Sequence, residues 1–421
     1  MKFLIPILTP LAIYTVLQQC FHTVNPWVKI LALLILIFYF FYKKNIDEKF
    51  IDSLDKLSLL ESKSKSKFKF RFRFRFRYFQ NAIIAITLII ILLRIIQFGF
   101  RLNGDTTHIE DIATLNIKGI NALFIEGKNP YSAEIDPYRV DIEYKDQQDN
   151  NKIKSKAVYY SGYKYMPLQL FFYAPFTLLF DLKGIYIANF IVYILIALIC
   201  FFYLKKDSKD SKDSNESIVN GCMGVIAFLT TDFFFTLSFN KGTNDSLPTL
   251  FLLLSLIYCS SSERGKTKLS AVMLGISLLI KQFPGALLVL ILTIQKKYRI
   301  VFLSMIILAI GVVPFLLSDF NSFMTQAIEF NLVRPVRETS IISYLPAMIG
   351  KLIPAFGIII IVTLSIIGTI NKESRLNIEN GLALPTLTFI IFLITSKMTP
   401  THYFVWVTPI IILWFFKIKR V

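Results

Sequence analysis

The stretch RIVFLSMIILAIGVVPFLL at 299–317 decides what kind of protein this is. Its length is close to the roughly 20 residues that a helix needs to cross about 30 Å of hydrocarbon. Similar apolar blocks recur at 26–42, 81–93 and 184–203. Across all 421 residues, 54% are hydrophobic, 40 are Phe and only 18% are charged, too little charge for a water-facing surface. The chain therefore reads as an all-α polytopic membrane protein. A soluble multidomain protein, a disordered chain, collagen and a small disulfide scaffold are excluded.

Working outward from 299–317, spans are expected at 3–21, 27–43, 79–100, 184–203, 217–237, 247–260, 268–281, 283–296, 299–317, 344–369, 380–397 and 402–416, about twelve in all. Loop charge sets their direction. The net charge is +18, and between Lys43 and Arg77 twelve Lys/Arg face five Asp/Glu, which marks a cytoplasmic loop. That loop ends in KSKSKFKFRFRFRFRYF (63–79), whose period-two pattern would put Phe on one face and Lys/Arg on the other, suited to an anionic lipid surface. An anchor that sets orientation is preferred over binding of RNA, so nucleic acid is not an expected partner. Further basic segments at SERGKTK, QKKYR and the tail KIKRV share the cytoplasmic side, and both termini are expected there. The linker 204–216 is polar and balanced.

The outer loop 101–183 differs. Up to Tyr165 it holds ten acidic and nine basic residues. Its apolar end, YKYMPLQLFFYAPFTLLF (163–180), carries Pro167 and Pro175 and is expected to lie as a helix at the outer interface. No sustained internal repeat is present. Four cysteines without a C-x-x-C indicate neither a zinc site nor a redox pair. No metal ligand set is expected; a divalent ion has no support, and His108 and His402 read as interfacial polar residues.

Ionisable groups beside hydrocarbon cost at least about 2.5–3.5 kcal/mol, so those that border apolar runs are functional candidates. Asp105, Glu110 and Asp111 follow the third span. Lys241, Asn244 and Asp245 lie in the turn FNKGTND. Lys281 interrupts GISLLIKQFPGALLVL, Arg334 and Arg337 lie in NLVRPVRETS, and Lys397, His402 and Tyr403 lie in TSKMTPTHYFVW. In the topology above all fall at the outer face. Any one cation could merely snorkel to the interface, and Asp245 could be a helix N-terminal charge. Together they suggest one outward polar cavity. Cations there would hold a lipid-linked phosphate, and a carboxylate would take a proton from an attacking hydroxyl. The competing classes are a flippase for lipid-linked oligosaccharide, which also needs cations in a cavity, and a surface polysaccharide polymerase or ligase using a diphosphate carrier.

At these residues the chain resembles the GT-C superfamily of membrane glycosyltransferases, in particular glycosyltransferase family 87 and the first mannosyltransferase of GPI-anchor synthesis. The motifs run in order: Glu110-Asp111, GINALFIEGKNPYS (119–132), YKYMPLQLFFYAPF (163–176), NKGTNDSLPTLFLLLSL (240–256), LLIKQFP (278–284), FNLVRPVRETSIISYLP (330–346) and TSKMTPTHYFVWVTP (395–409). The resemblance implies a GT-C-like core over 79–421, after two N-terminal helices and a basic loop in 1–78. It implies a polyprenyl- or dolichyl-phosphate sugar donor, most often mannose. It implies an inverting transfer to a glycan or glycolipid acceptor on the extracytoplasmic side of an inner or plasma membrane. By motif position Asp111 takes the role of base, with Asp105 and Glu110 beside it. Lys281, Arg334, Arg337 and Lys397 would contact the donor phosphate. Lys241, Asn244, Asp245, His402 and Tyr403 would orient sugar or acceptor. The acidic pair departs from a spaced D-x-D, and the loop 132–162 is longer and more charged than expected, as an acceptor-side insertion would be.

Overall fold

The computed structural model describes residues 66–104, 111–145, 153–206, 214–259, 264–333, 342, 346–372, 374, 376–378, 381–396 and 403–416. The expected spans 3–21 and 27–43 lie outside the described residues. Among those described, every regular element but one hairpin is helical.

Helix α1 (Ser66–Asn103) contains the third expected span and starts well before it. This corrects the reading of 63–79. From Ser66 on the chain is helical, so successive residues turn by about 100° and the basic–aromatic alternation does not sort onto two faces. Helix α2 (Asp111–Ile120) runs into a π-helical turn, Asn121–Ile125. Strands β1 (Tyr138–Lys145) and β2 (Ile153–Tyr160) then pair antiparallel, from Tyr138 opposite Tyr160 to Lys145 opposite Ile153. The hairpin corrects the all-α expectation. It occupies the charged stretch 132–162, whose β-branched and aromatic residues suit a strand better than a helix.

Helices α3 (Leu168–Phe180), α4 (Leu182–Lys206) and α5 (Ser214–Leu229) follow. The expected single span 217–237 is broken. Thr230 and Thr231 turn their hydroxyls back onto the carbonyls of Ile226 and Ala227, and a new helix, α6 (Asp232–Phe235), opens and passes into a π-helical turn, Thr236–Asn240. Arg94 of α1 donates to the Leu229 carbonyl at 2.7 Å, capping the end of α5 with a charge. Helices α7 (Ser246–Cys259), α8 (Arg264–Ile280), α9 (Gln282–Ile294) and α10 (Tyr298–Ser318) match four expected spans within a few residues. A broken segment follows, α11 (Phe320–Phe323), a π-helical stretch Met324–Glu329, and α12 (Phe330–Val333). Helices α13 (Ala347–Ile370), α14 (Ala383–Thr395) and α15 (Phe404–Phe416) complete the fold.

Among the described residues, four stretches are long and apolar enough to cross a membrane, Gln80–Asn103, Leu182–Lys205, Tyr298–Ser318 and Leu352–Ile370. The 21 residues of α10 span roughly 31 Å. Its flank exposes Phe302, Met305, Ile306, Ile310, Val313 and Leu317, and α1 exposes Ile86, Leu88, Ile89, Leu92 and Leu93. Apolar faces of this extent suit lipid and not water. The protein is an integral membrane protein. The other apolar helices are shorter: α7 has 14 residues and α9, α14 and α15 have 13. Nearly every side chain of α14 and α15 is buried by protein, which accounts for their apolar character.

Close helix contacts rest on small residues. A Cβ on Gly275 of α8 would lie 2.7 Å from Ile307 of α10, and one on Gly224 of α5 would lie 2.3 Å from Leu204 of α4. Ser255 of α7 and Ser270 of α8 exchange hydrogen bonds with each other's carbonyls at 2.9 Å, so neither hydroxyl is left unmet in an apolar interior.

Candidate active site

Several helix starts meet at one end of this bundle. Asp245 precedes α7, Lys281 precedes α9 and Tyr403 precedes α15. Asp245 is fully buried, and Lys281 is only 4% exposed. Lys281 has an extended backbone between α8 and α9, which turns its side chain away from both helices' ladders and toward α7. Its Nζ donates to Asp245 Oδ1 at 2.6 Å. The same oxygen accepts the indole N–H of Trp406 at 2.7 Å. Trp406 stacks on Tyr403 with centroids 4.0 Å apart and an interplanar angle of 21°. The ammonium lies over three rings, Tyr403 at 4.9 Å, Trp406 at 5.4 Å and Tyr165 at 5.7 Å. Aromatic faces and a carboxylate thus replace the water that a buried ammonium gives up.

The turn that carries Asp245 is fixed from behind. Gly242 takes φ of +66°, a conformation that residues with a Cβ rarely adopt. Asn189 of α4 donates to the carbonyls of Ser238 and Thr243 at 2.8 and 3.1 Å and accepts the Tyr173 hydroxyl at 2.6 Å. Arg101 of α1 donates to the Phe239 carbonyl at 3.2 Å. Ser277 of α8 holds the Pro248 carbonyl at 3.1 Å. Around Asp245, the amide of Asn244 and the hydroxyls of Ser238, Thr243 and Ser246 are buried without a hydrogen-bond partner among the described residues. They offer neutral donors and acceptors beside the ion pair.

Tyr165 is placed by the N-P-Y turn. Asn129 Oδ1 accepts the backbone N–H of Tyr131 at 3.0 Å, a local turn that asparagine favours. Tyr131 is thereby buried, and its hydroxyl donates to the Tyr165 carbonyl at 2.8 Å. A Cβ on Gly162 would fall 2.1 Å from the Tyr131 carbonyl oxygen, so only glycine allows this approach. Burial holds the Tyr131 and Tyr163 phenols well above their ordinary range. The phenol of Tyr160, at the end of β2, is pushed up to about 12, first by burial and then by Glu329, whose carboxylate it meets at 3.2 Å.

Among the sequence-derived candidates, the fold brings together Lys281, Asp245 and Tyr403, with Asn244 beside Asp245. Lys241 sits half-buried in the same turn. Asp111 is the first residue of α2, which packs on α3. Asp105, Glu110, Arg334, Arg337, Lys397 and His402 lie outside the described residues, as does His108. Trp406, Tyr165, Asn189 and Tyr173 escaped the sequence reading. Trp406 and Tyr165 stood in quoted motifs, but an aromatic residue in an apolar run gives no sign that it faces a charge.

Residues 163–370, just under half of the chain, match the model of glycosyltransferase family 87. Over this range the chain is similar to glycosyltransferase family 87. The relation bears out the resemblance to GT-C membrane glycosyltransferases, and the matched range holds Tyr165, Asp245 and Lys281. The family 87 match does not extend to the Glu110–Asp111 pair or to the late Tyr403–Trp406 motif. No curated protein matches significantly. A solved structure similar to the chain is the crystal structure of ArnT from Cupriavidus metallidurans bound to undecaprenyl phosphate, at 14% identity and a TM-score of 0.49, over 79% of this chain. The chain spans 59% of the length of that one.

Proposed function

We propose that this protein is an integral membrane glycosyltransferase that moves a hexose, mannose in our reading, from a polyprenyl-phosphate carrier to a lipid-linked or glycan acceptor on the extracytoplasmic face. The observation that carries the reading is the family 87 match over 163–370, which includes the buried Lys281–Asp245 pair at one end of an apolar bundle.

The helix ends at this place favour an anionic ligand. Helices α3, α7, α9 and α15 all begin there, each bringing the positive end of its dipole. Asp245 offsets the charge of Lys281, so the pair's task is to hold those helix starts, with the positive ends of their dipoles, in register. Contact with the donor phosphate is assigned in this reading to Lys281, Arg334, Arg337 and Lys397. Asn244, with its unspent amide, is suited to the hydroxyls of the sugar, beside Lys241, His402 and Tyr403.

In the reaction the acceptor hydroxyl gives its proton to a carboxylate as its oxygen bonds to the anomeric carbon. The bond from that carbon to the phosphate oxygen breaks on the opposite side, and the electron pair leaves with the carrier phosphate. The configuration inverts. Asp111 is the base in this reading, with Asp105 and Glu110 as its neighbours, and the cations stabilise the charge that grows on phosphate.

The test is transfer by the purified protein in detergent from polyprenyl-phosphate mannose to candidate acceptors. Absence of transfer from every such donor would overturn the proposal. So would full activity when Asp105, Glu110 and Asp111 are each replaced by Ala.

A further inference from the structure

Outside the Lys281 cluster the protein buries a second lysine. Lys164 is 3% exposed and stands in YKYMPL between two tyrosines of the outer loop. Its Nζ donates to the Asp136 carbonyl at 3.0 Å, with the Asp136 carboxylate at 4.0 Å. The ammonium lies over the Tyr138 ring at 5.4 Å and the Phe330 ring at 5.3 Å. Those two rings meet edge to face at 5.3 Å, and Phe330 also packs on Tyr160. One side chain therefore joins the open end of the hairpin, Tyr138 and Tyr160, to α12.

The backbone of Lys164 extends the connection in two directions. Its carbonyl accepts from Asn331 of α12 at 3.4 Å, while Asn331 also donates to Ala327 at 2.9 Å. The Ala327 carbonyl in turn accepts from Gln282, the residue after Lys281, at 3.0 Å. On its other side Lys164 is followed by Tyr165, whose ring faces Lys281. The segment 324–333 is thus strung between the hairpin base and the start of α9, and it leads directly into Arg334 and Arg337.

We infer that Lys164 is a positioning residue, the latch through which the β1–β2 hairpin sets α12 and Tyr165 against the Lys281–Asp245 pair. The inference rests on the donor site proposed above. It also explains why an ammonium is buried where a leucine would cost less. The aromatic pair favours a cation and the Asp136 carbonyl needs a donor, and one ammonium meets both.

The experiment uses the full-length protein in detergent, with Lys164→Met, Lys164→Arg and Asn331→Ala. Two measurements are made: the KM and kcat for the lipid-phosphate donor, and the rate of trypsin cleavage within the hairpin. For Lys164→Met we expect a donor KM raised about tenfold with kcat changed less than about threefold, and cleavage accelerated about fivefold. Lys164→Arg should restore both. Asn331→Ala leaves the ammonium's own contacts intact and should raise the donor KM alone. A lowered melting temperature in Lys164→Met with unchanged donor KM and unchanged cleavage would overturn the latch and reduce Lys164 to a packing role. If Lys164→Met does not fold, an unchanged KM in Asn331→Ala overturns it equally. If the wild type transfers no sugar, the donor-site reading fails by itself. The cleavage rates then decide the latch, and equal rates in wild type and Lys164→Met overturn it.

Discussion

Lys281 and Asp245 are 36 positions apart in the chain and 2.6 Å apart in space. Neither reaches solvent to any useful extent, and the bond joins the start of α7 to the corner between α8 and α9. Removing one partner would leave the other charge buried and uncompensated, which costs about 3–5 kcal/mol. Lys281→Met should therefore lower the melting temperature in detergent sharply. The double variant Lys281→Met/Asp245→Leu should recover much of the loss, because no bare charge remains. Equal losses in the single and double variants would contradict the pairing.

Trp406 contributes a directed hydrogen bond as well as its ring. Trp406→Phe keeps an aromatic face for Lys281 but removes the donor to Asp245. Hydrogen bonds to charged groups are worth about 1.5–3 kcal/mol, and a loss in that range is expected by denaturation in detergent.

The Tyr160–Glu329 contact gives the hairpin a dependence on alkaline pH. Between the ordinary phenol range near 10 and the folded value of about 12, the unfolded chain has lost a proton that the folded chain keeps. The unfolded state then binds fewer protons, so stability falls as pH rises through this window. Glu329→Gln removes the charge and should bring Tyr160 ionisation back toward 10. The difference in tyrosinate absorbance between each protein and its Tyr160→Phe counterpart reports this. An unmoved titration would exclude Glu329 as a cause.

Gly162 is required by close approach alone. An added Cβ would lie 2.1 Å from the Tyr131 carbonyl oxygen, against backbone that cannot rotate aside. Gly162→Ala should cost at least the roughly 1–3 kcal/mol of an overpacked core and displace Tyr165 from Lys281. Folded yield and melting temperature check the first effect.

For the proposed chemistry, Asp111→Asn should reduce kcat by about 10²–10⁴-fold while the donor KM stays within a few-fold, since a general base acts in the transition state. A comparable rise in donor KM with kcat intact would reassign Asp111 to binding.

Much of the fold was readable in advance because hydrophobic transfer is local. Apart from the block at 217–237, each apolar run in 182–318 announced a helix whose ends the structure moves by only a few residues. The errors came where local pattern met another local option. The alternation in 66–77 resembles a strand only if the backbone is extended, and there it is helical. The threonines at 230 and 231 offered their hydroxyls to preceding carbonyls and ended a helix inside an apolar block. The hairpin at 138–160 lay in a charged loop whose polarity masked its β-branched and aromatic content.

By itself the sequence determined that the chain resides in a membrane, roughly where its helices run, and that certain charges beside hydrocarbon need a reason. Those conclusions follow from lengths and transfer costs that each segment carries alone. Only the tertiary structure decided that Lys281 is answered by Asp245 and Trp406, that Tyr165 faces it, and that Lys164 ties the hairpin to α12. Pairings of this kind depend on which helix ends meet. That is set by packing shape across the whole bundle, through small residues such as Gly275 and exact distances such as that at Gly162, and no single stretch of chain contains it.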